Sequence, residues 1–132
     1  MSTIKKITLS ILFIVGFIIC SNQISAQIPD EILQSLKTGN SKTLSEYFNQ
    51  NVEMVVLEND NVYSKAQAQQ IVNKFFSSNP PENFTIIHQG GKEGAQYVIG
   101  NLITGKGTFR VYFLLKKSGG KDYIHQLRIE EQ

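Results

Sequence analysis

The sequence predicts an α+β domain: two short N-terminal helices, a strand, one long helix, and a curved antiparallel sheet packed against that helix. Three observations carry this. The segment "SKAQAQQIVNKFF" places apolar residues at helical spacing behind Ser64, everything after Pro81 alternates like strands, and Gly-rich turns cut that region into four runs.

The first 26 residues stand apart from the domain. Lys5 and Lys6 precede an apolar run from Ile7 to Cys20, and a polar stretch ends in Ile24-Ser25-Ala26, the layout of a secretory signal peptide. The run is shorter than the roughly 20 apolar residues of a membrane helix. Lipidation at Cys20 would require a small residue before it, and Ile19 stands there. The expectation is therefore cleavage after Ala26, a single domain over residues 27–132, a secreted or periplasmic location, and no membrane span once the signal is gone. Cys20 is the only cysteine, so the domain relies on an apolar core with no disulfide. Loss of Lys5 and Lys6 leaves 11 basic residues against 11 acidic ones. A neutral chain without a basic footprint argues against nucleic acid as a partner.

In the domain, Pro29 suits a first helical position and Asp30 and Glu31 the positive end of the helix dipole. Ile28, Ile32, Leu33 and Leu36 supply the stripe before Gly39. Ser41 is placed to cap a second helix carrying Leu44, Tyr47 and Phe48. Val52 to Leu57 reads as a strand closed by a turn at Asn59-Asp60-Asn61. Ser64 with Gln67 three residues later forms a capping box for the long helix, residues 65–77, and Asn79-Pro80-Pro81 ends it. Strands are predicted from Phe84 to Gln89, Gln96 to Thr104, Thr108 to Lys117 and Tyr123 to Glu130.

The stretch "GNLITGKGT" resembles a phosphate-binding loop, but Lys106 is followed by Gly107 and an alternating strand. A phosphate loop needs a helix to open there, so the stretch reads as a hairpin turn. A two-residue turn at Gly105-Lys106 aligns Phe109, Val111 and Phe113 with Val98, Gly100 and Leu102. A three-residue turn from Gly119 to Lys121 sets Phe113 against Leu127, Val111 against Ile129, and Arg110 opposite Glu130. The apolar set belongs under the long helix. The other face carries Tyr97, Ile99, Ile103, Tyr112 and Leu114 beside Asn101, Arg110, Gln126 and Arg128, a composition suited to a protein interface.

The segments "VYSKAQAQQIVNKFF", "IIHQGG" and "TFRVYFLLKKSGGKDYIHQLRIEE" resemble a family of secreted Gram-negative bacterial proteins of unknown function. That family belongs to the nuclear-transport-factor-2-like, or cystatin-like, superfamily. The resemblance implies a cone-shaped domain, often dimeric through its sheet, and no particular activity, because relatives include enzymes and plain binding modules. Superfamily enzymes similar to ketosteroid isomerase use a carboxylate base in an apolar pocket. Here Glu53 and Glu130 alternate away from the apolar set, Asp60 and Asp122 fall at turns, and Asp30, Glu31 and Glu46 on helix surfaces. His88 is in phase with Phe84 and Ile86, and His125 with Leu127 and Ile129. Two isolated histidines make neither a metal site nor a demonstrable base.

The functional expectation is a non-enzymatic binding domain without cofactor or metal. Its ligand-contacting candidates are His88, Arg110 and Tyr112, for a small apolar ligand. Its interface candidates are Tyr97, Ile99, Ile103, Leu114 and Arg128, for a homodimer through the open sheet face. The alternative is a small lyase or isomerase with a pocket between helix and sheet. N-terminal sequencing of the exported protein is expected to begin at Gln27; retention of residues 1–26 would contradict the signal-peptide reading.

Overall fold

The computed structural model describes residues 27–132, and among these the first helix, α1, Asp30–Thr38, follows the extended backbone of Pro29. The expected signal peptide lies outside the described residues. Pro29 is thus one position before the helix instead of its first residue. α2, Ser41–Glu46, is capped by Asn40, whose side chain accepts from the Thr43 N–H at 3.1 Å. Ser41, expected as the cap, is the first helical residue, and its hydroxyl donates to Asn73 Oδ1 at 2.9 Å. Tyr47 ends this helix and Phe48 begins β1, Phe48–Val56, four residues before the predicted strand start.

A second strand, β2, occupies Asn59–Ser64, where a turn was expected. The reversal takes place at Leu57-Glu58, with Val56 opposite Asn59. Leu57 has φ 53, the one positive value outside glycine among the described residues. The polar sequence "NDNVYS" lacks the apolar alternation that marks strands, because β2 is an edge strand with almost all of its side chains exposed.

α3, Lys65–Ser78, starts at the predicted capping box. Ser64 Oγ accepts from the Gln67 N–H at 3.3 Å, and Gln67 Oε1 accepts from the Ser64 N–H at 3.2 Å. Such a cap contributes about 1 kcal/mol. The helix buries Ala68, Val72, Phe75 and Phe76.

The remaining strands are β3 (Pro81–Lys92), β4 (Ala95–Thr104), β5 (Gly107–Ser118) and β6 (Lys121–Glu131), in a six-stranded sheet of order β2-β1-β6-β5-β4-β3. All neighbours are antiparallel except β1 and β6, which run parallel, so the predicted meander is joined on one side by the N-terminal hairpin. The register of β4 and β5 matches expectation: Val98 faces Phe113, Gly100 faces Val111 and Leu102 faces Phe109 across the Gly105-Lys106 turn. Phe109, Val111, Phe113 and Leu115 are buried, and the Phe75 ring meets Phe109 edge-on, centroids 5.0 Å apart at 87°. Each such side chain contributes roughly 1.5–3 kcal/mol by leaving water.

The last hairpin corrects one expectation while keeping its result. Phe113 does face Leu127, Val111 faces Ile129, and Arg110 lies opposite Glu130. Yet Ser118 pairs with Lys121, so the turn has two residues, Gly119 and Gly120, with φ 59 and 79 as a hairpin turn of that length requires. The register advances farther along: Leu114 pairs with Gln126 and Leu115 with Ile124, leaving His125 as the extra residue of a β-bulge. The bulge lets Ile124 and Leu127, three positions apart, both point into the core. His125 therefore does not share the face of Leu127 and Ile129.

A second bulge changes the place of His88. Ile86 pairs with Gly100 and His88 with Ile99, so Ile87 is the unpaired residue and the phase of β3 reverses. Phe84 stays on the inner face, buried opposite Leu102, whereas His88 turns to the outer face with Ile99. Bulges on β3 and β6 bend the sheet around the helices.

Close approach explains Gly100. A methyl group built there would lie 2.6 Å from Phe84 Cε1 and 2.7 Å from the Thr85 carbonyl oxygen, so the Phe84 ring occupies the room a side chain would need. Gly100→Ala is expected to lower unfolding stability by about 1–3 kcal/mol in denaturant titration, the range for overpacking a core.

Tyr47 ties the N-terminal layer together by donating to Glu31 Oε2 at 2.7 Å. This hydrogen bond, then burial and the nearby charges of Glu31, Glu46 and Asp122, push its hydroxyl up from 10.0 to about 12. The folded chain holds this proton more tightly than the unfolded one. The contribution is therefore complete below about pH 10 and vanishes as pH rises through about 12. In a phenolate absorbance titration, Glu31→Gln is expected to bring the Tyr47 transition back toward 10.0; an unmoved transition would contradict the assignment.

Candidate functional site

Three layers of consequence follow from the sheet having one face under the helices. The inner face is filled: Phe48, Val52, Met54, Phe113, Leu115, Leu127 and their neighbours form one buried cluster with α1 and α3. Glu53 and Glu130 alternate to the other side, and Asp60 lies on exposed β2. Of the expected ligand-contacting residues, His88, Arg110 and Tyr112 all belong to the outer face, and none enters the space between α3 and the sheet.

On that outer face the structure gathers the expected residues into a band. Tyr97 pairs with Gly90 across β3 and β4, and its ring lies where a Gly90 side chain would stand, 2.8 Å from hydroxyl to the position of a Cβ. Its hydroxyl is 2.9 Å from His88 Nε2. The Tyr112 ring lies 6.4 Å from that of Tyr97, inclined by 30°. The Tyr112 hydroxyl donates to Gln126 Oε1 at 3.4 Å, and Gln126 Nε2 donates to Glu53 Oε2 at 2.8 Å. The band thus crosses from β3 to β1, held by side chains from five strands. Ile99 and Ile103 on β4 and Leu114 on β5 flank it, half-buried.

The charges at its edge pair differently from expectation. Arg110 stands opposite Glu130 in register, but Glu130 Oε1 accepts from Arg128 Nε at 3.0 Å. Both partners are more than half exposed, so this pair adds little to stability. Gln132 Nε2 reaches Asn101 Oδ1 at 2.9 Å.

Alternation already set Gln126 on this face and Glu53 away from the apolar side, but it did not bring the two together, and it missed His125. The parallel β1–β6 pairing brings Glu53 beside Gln126, and the β6 bulge brings His125 onto it. Burial, then the Lys116 charge, lower the His125 imidazole from its usual 6.5, while Glu53 opposes them. The detectable signal was the three-residue spacing of Ile124 and Leu127, which breaks the period of two.

Clefts open at several places among the described residues. One of about 260 Å³ lies between the Leu57 turn and α3, lined by Val56, Leu57, Ile71 and Phe75 with Lys74 and Glu58. One of about 520 Å³ runs over the outer face beside Glu53, Asp60, Val62 and Arg128. One of about 530 Å³ surrounds Tyr47, with Glu31, Lys65 and Asp122. Among the described residues, no three His, Cys, Asp or Glu converge as metal ligands, and no helix is long and apolar enough to cross a membrane.

No curated protein matches the sequence. A crystal structure of a DUF4783 family protein from Bacteroides ovatus superposes with a TM-score of 0.76 at 33% identity, over 82% of this chain and 98% of that one. Two remoter crystal structures share the fold. A domain of unknown function with a cystatin-like fold from Nostoc punctiforme has a TM-score of 0.61 at 7% identity, over 78% of this chain and 72% of that one. A nuclear-transport-factor-2-like protein of unknown function from Cytophaga hutchinsonii has 0.55 at 13%, over 83% and 95%. The model of a domain of unknown function, DUF4783, matches residues 29–130, and this chain belongs to that family.

Proposed function

We propose that the protein is an exported, non-enzymatic binding domain whose open sheet face is its contact surface, with a second copy of the chain as the occupant. The observation that carries this reading is the band from His88 to Glu53, preorganised by hydrogen bonds and lined by half-buried Ile99, Ile103 and Leu114, on a face that no described helix covers. A binding face differs from ordinary surface by ordered aromatic side chains at its centre and charges at its rim.

Two features favour a second copy. The face carries both signs, Arg110, Arg128 and Lys116 against Glu53, Asp60 and Glu130, so the same patch is electrically self-complementary, as a two-fold contact requires. Its size also suffices: six strands of 6 to 12 residues, about 4.8 Å apart and rising about 3.3 Å per residue, project roughly 950 Å², on the scale of the ~800 Å² per partner of a standard interface. The enzymatic alternative lacks support, because His88, Arg110 and Tyr112 face away from the filled interior.

Sedimentation velocity tests the reading. The protein is expected to sediment as a dimer. Leu114→Asp, at a half-buried position on the outer face, is expected to weaken association by roughly thirtyfold or more, the loss of a hot-spot residue, with unchanged circular dichroism. A monomer at all accessible concentrations, or a dimer indifferent to Leu114→Asp, would refute it.

A further inference from the structure

We propose that the cleft of about 260 Å³ between the Leu57 turn and the end of α3 binds a free α-amino acid with a large apolar side chain, leucine being a representative. The cleft is walled by α3, which packs on the inner side of the sheet, so it does not depend on the outer face being a contact surface.

Leu57 is the residue that points to a ligand. β1 turns into β2 through Leu57-Glu58, with Val56 opposite Asn59, and Leu57 has φ 53. At the first residue of a two-residue hairpin turn a positive φ calls for glycine, because an L side chain there crowds its own backbone. Leucine gains little from burial in exchange. Its side chain is 43% exposed and stands outside the buried cluster. The ladder does not need it either, since the Leu57 N–H that donates to the Ile129 carbonyl at 3.1 Å would be supplied by any residue except proline. What the side chain does is wall the cleft together with Val56, Ile71 and Phe75. A local rule broken without return in packing marks a place kept for function.

The polar rim narrows the class of ligand. Lys74 brings an ammonium to the cleft and Glu58 a carboxylate. α3 ends there at Ser78 with Asn79 as its cap, so the negative end of the helix dipole and the last carbonyls of the helix lie on one side. Asn79 Nδ2 donates to the Phe75 carbonyl at 3.2 Å and Asn59 Nδ2 to the Val56 carbonyl at 3.5 Å, so the acceptor that each carboxamide can offer a ligand is its oxygen. The rim therefore pairs one cation with an arc of acceptors. A fatty acid would meet Glu58 unpaired, and a simple amine would meet Lys74. A molecule bearing both charges side by side on an apolar body satisfies both, its carboxylate at Lys74 and its ammonium toward Glu58 and the helix end. Size agrees with this. The volume lies just under the roughly 300 Å³ at which pockets take drug-sized ligands, and at ~30 Å³ per water it equals about nine waters, room for the heavy atoms of leucine.

The test is an amide-detected NMR titration of the purified protein with three probes: L-leucine, leucinamide, which lacks the carboxylate, and 4-methylpentanoate, which lacks the ammonium. Leucine is expected to shift the amides of Leu57, Ile71 and Phe75 with a dissociation constant of about 1 mM or tighter, within the reach of so small a ligand. Each analogue is expected to bind at least tenfold more weakly. Lys74→Gln, at an exposed helical position, is expected to weaken leucine about tenfold and to leave leucinamide unchanged. Leu57→Gly is expected to hold or raise the denaturation midpoint, because glycine accepts the positive φ, while weakening leucine at least tenfold. An absence of saturable shifts at these amides, an analogue that binds as tightly as leucine, or leucine binding indifferent to both substitutions overturns the inference. None of these outcomes bears on the sheet-face contact, which sedimentation reads separately.

Discussion

One sheet face must stay apolar under α3 while the sheet bends, and every other feature accommodates that demand. Phe109, Val111, Phe113 and Leu115 supply an unbroken inner row on β5, and Phe75 and Phe76 come down on it from a helix whose start is fastened by Ser64 and Gln67. A regular strand would carry its inner row straight past the helix. The bulges on β3 and β6 turn the strands, and each uses its extra residue to keep the inner row apolar beyond the bend. Gly100 belongs to the same accommodation, because the Phe84 ring fills the place beside it.

The interior produced in this way is occupied by hydrocarbon. In an enzyme of this architecture the carboxylate or imidazole would project between helix and sheet, where burial could tune it. Here Glu53 and Glu130 lie on the outer side of the sheet and Asp60 in β2, and both histidines share that outer side. The chemistry-bearing groups and the open surface therefore coincide. This arrangement accords with the proposed contact role, and the hydrogen-bonded row from His88 to Glu53 runs across strands instead of converging on a point.

Much of this is legible in the sequence. The long helix, its cap and the pairing of β4 with β5 followed from spacing alone, since helical and strand periods are unambiguous over stretches such as "AQQIVNKFF" and "TFRVYFLL". β2 was hidden because an exposed edge strand has no apolar face to advertise. The parallel junction of β1 with β6 joins residues far apart in the chain, which no local pattern encodes. The bulges fell between. Ile124 and Leu127 announced an interruption in period, but an extra residue in the turn and an extra residue in the strand produce the same pairing at Phe113 and Val111. Only packing distinguishes them, since Ile124 stays in the core when the surplus residue is His125. The outer residues Tyr97, Ile99, Ile103, Tyr112, Leu114, Arg110 and Arg128 were recognisable as a set from alternation, whereas His88 joined them through the bulge at Ile87.

That surplus isoleucine has an effect beyond aiming its neighbour. β3 is a twelve-residue border strand, and such a border offers a template on which further chains can zip up backbone to backbone. Ile87, more than half exposed, interrupts the ladder near the middle of the strand, so no long straight row of free amides and carbonyls is presented. A sheet with one broad bare surface is thereby shielded at this margin from fibrous stacking, the break at Ile87 being joined by another between Pro81 and Asn83.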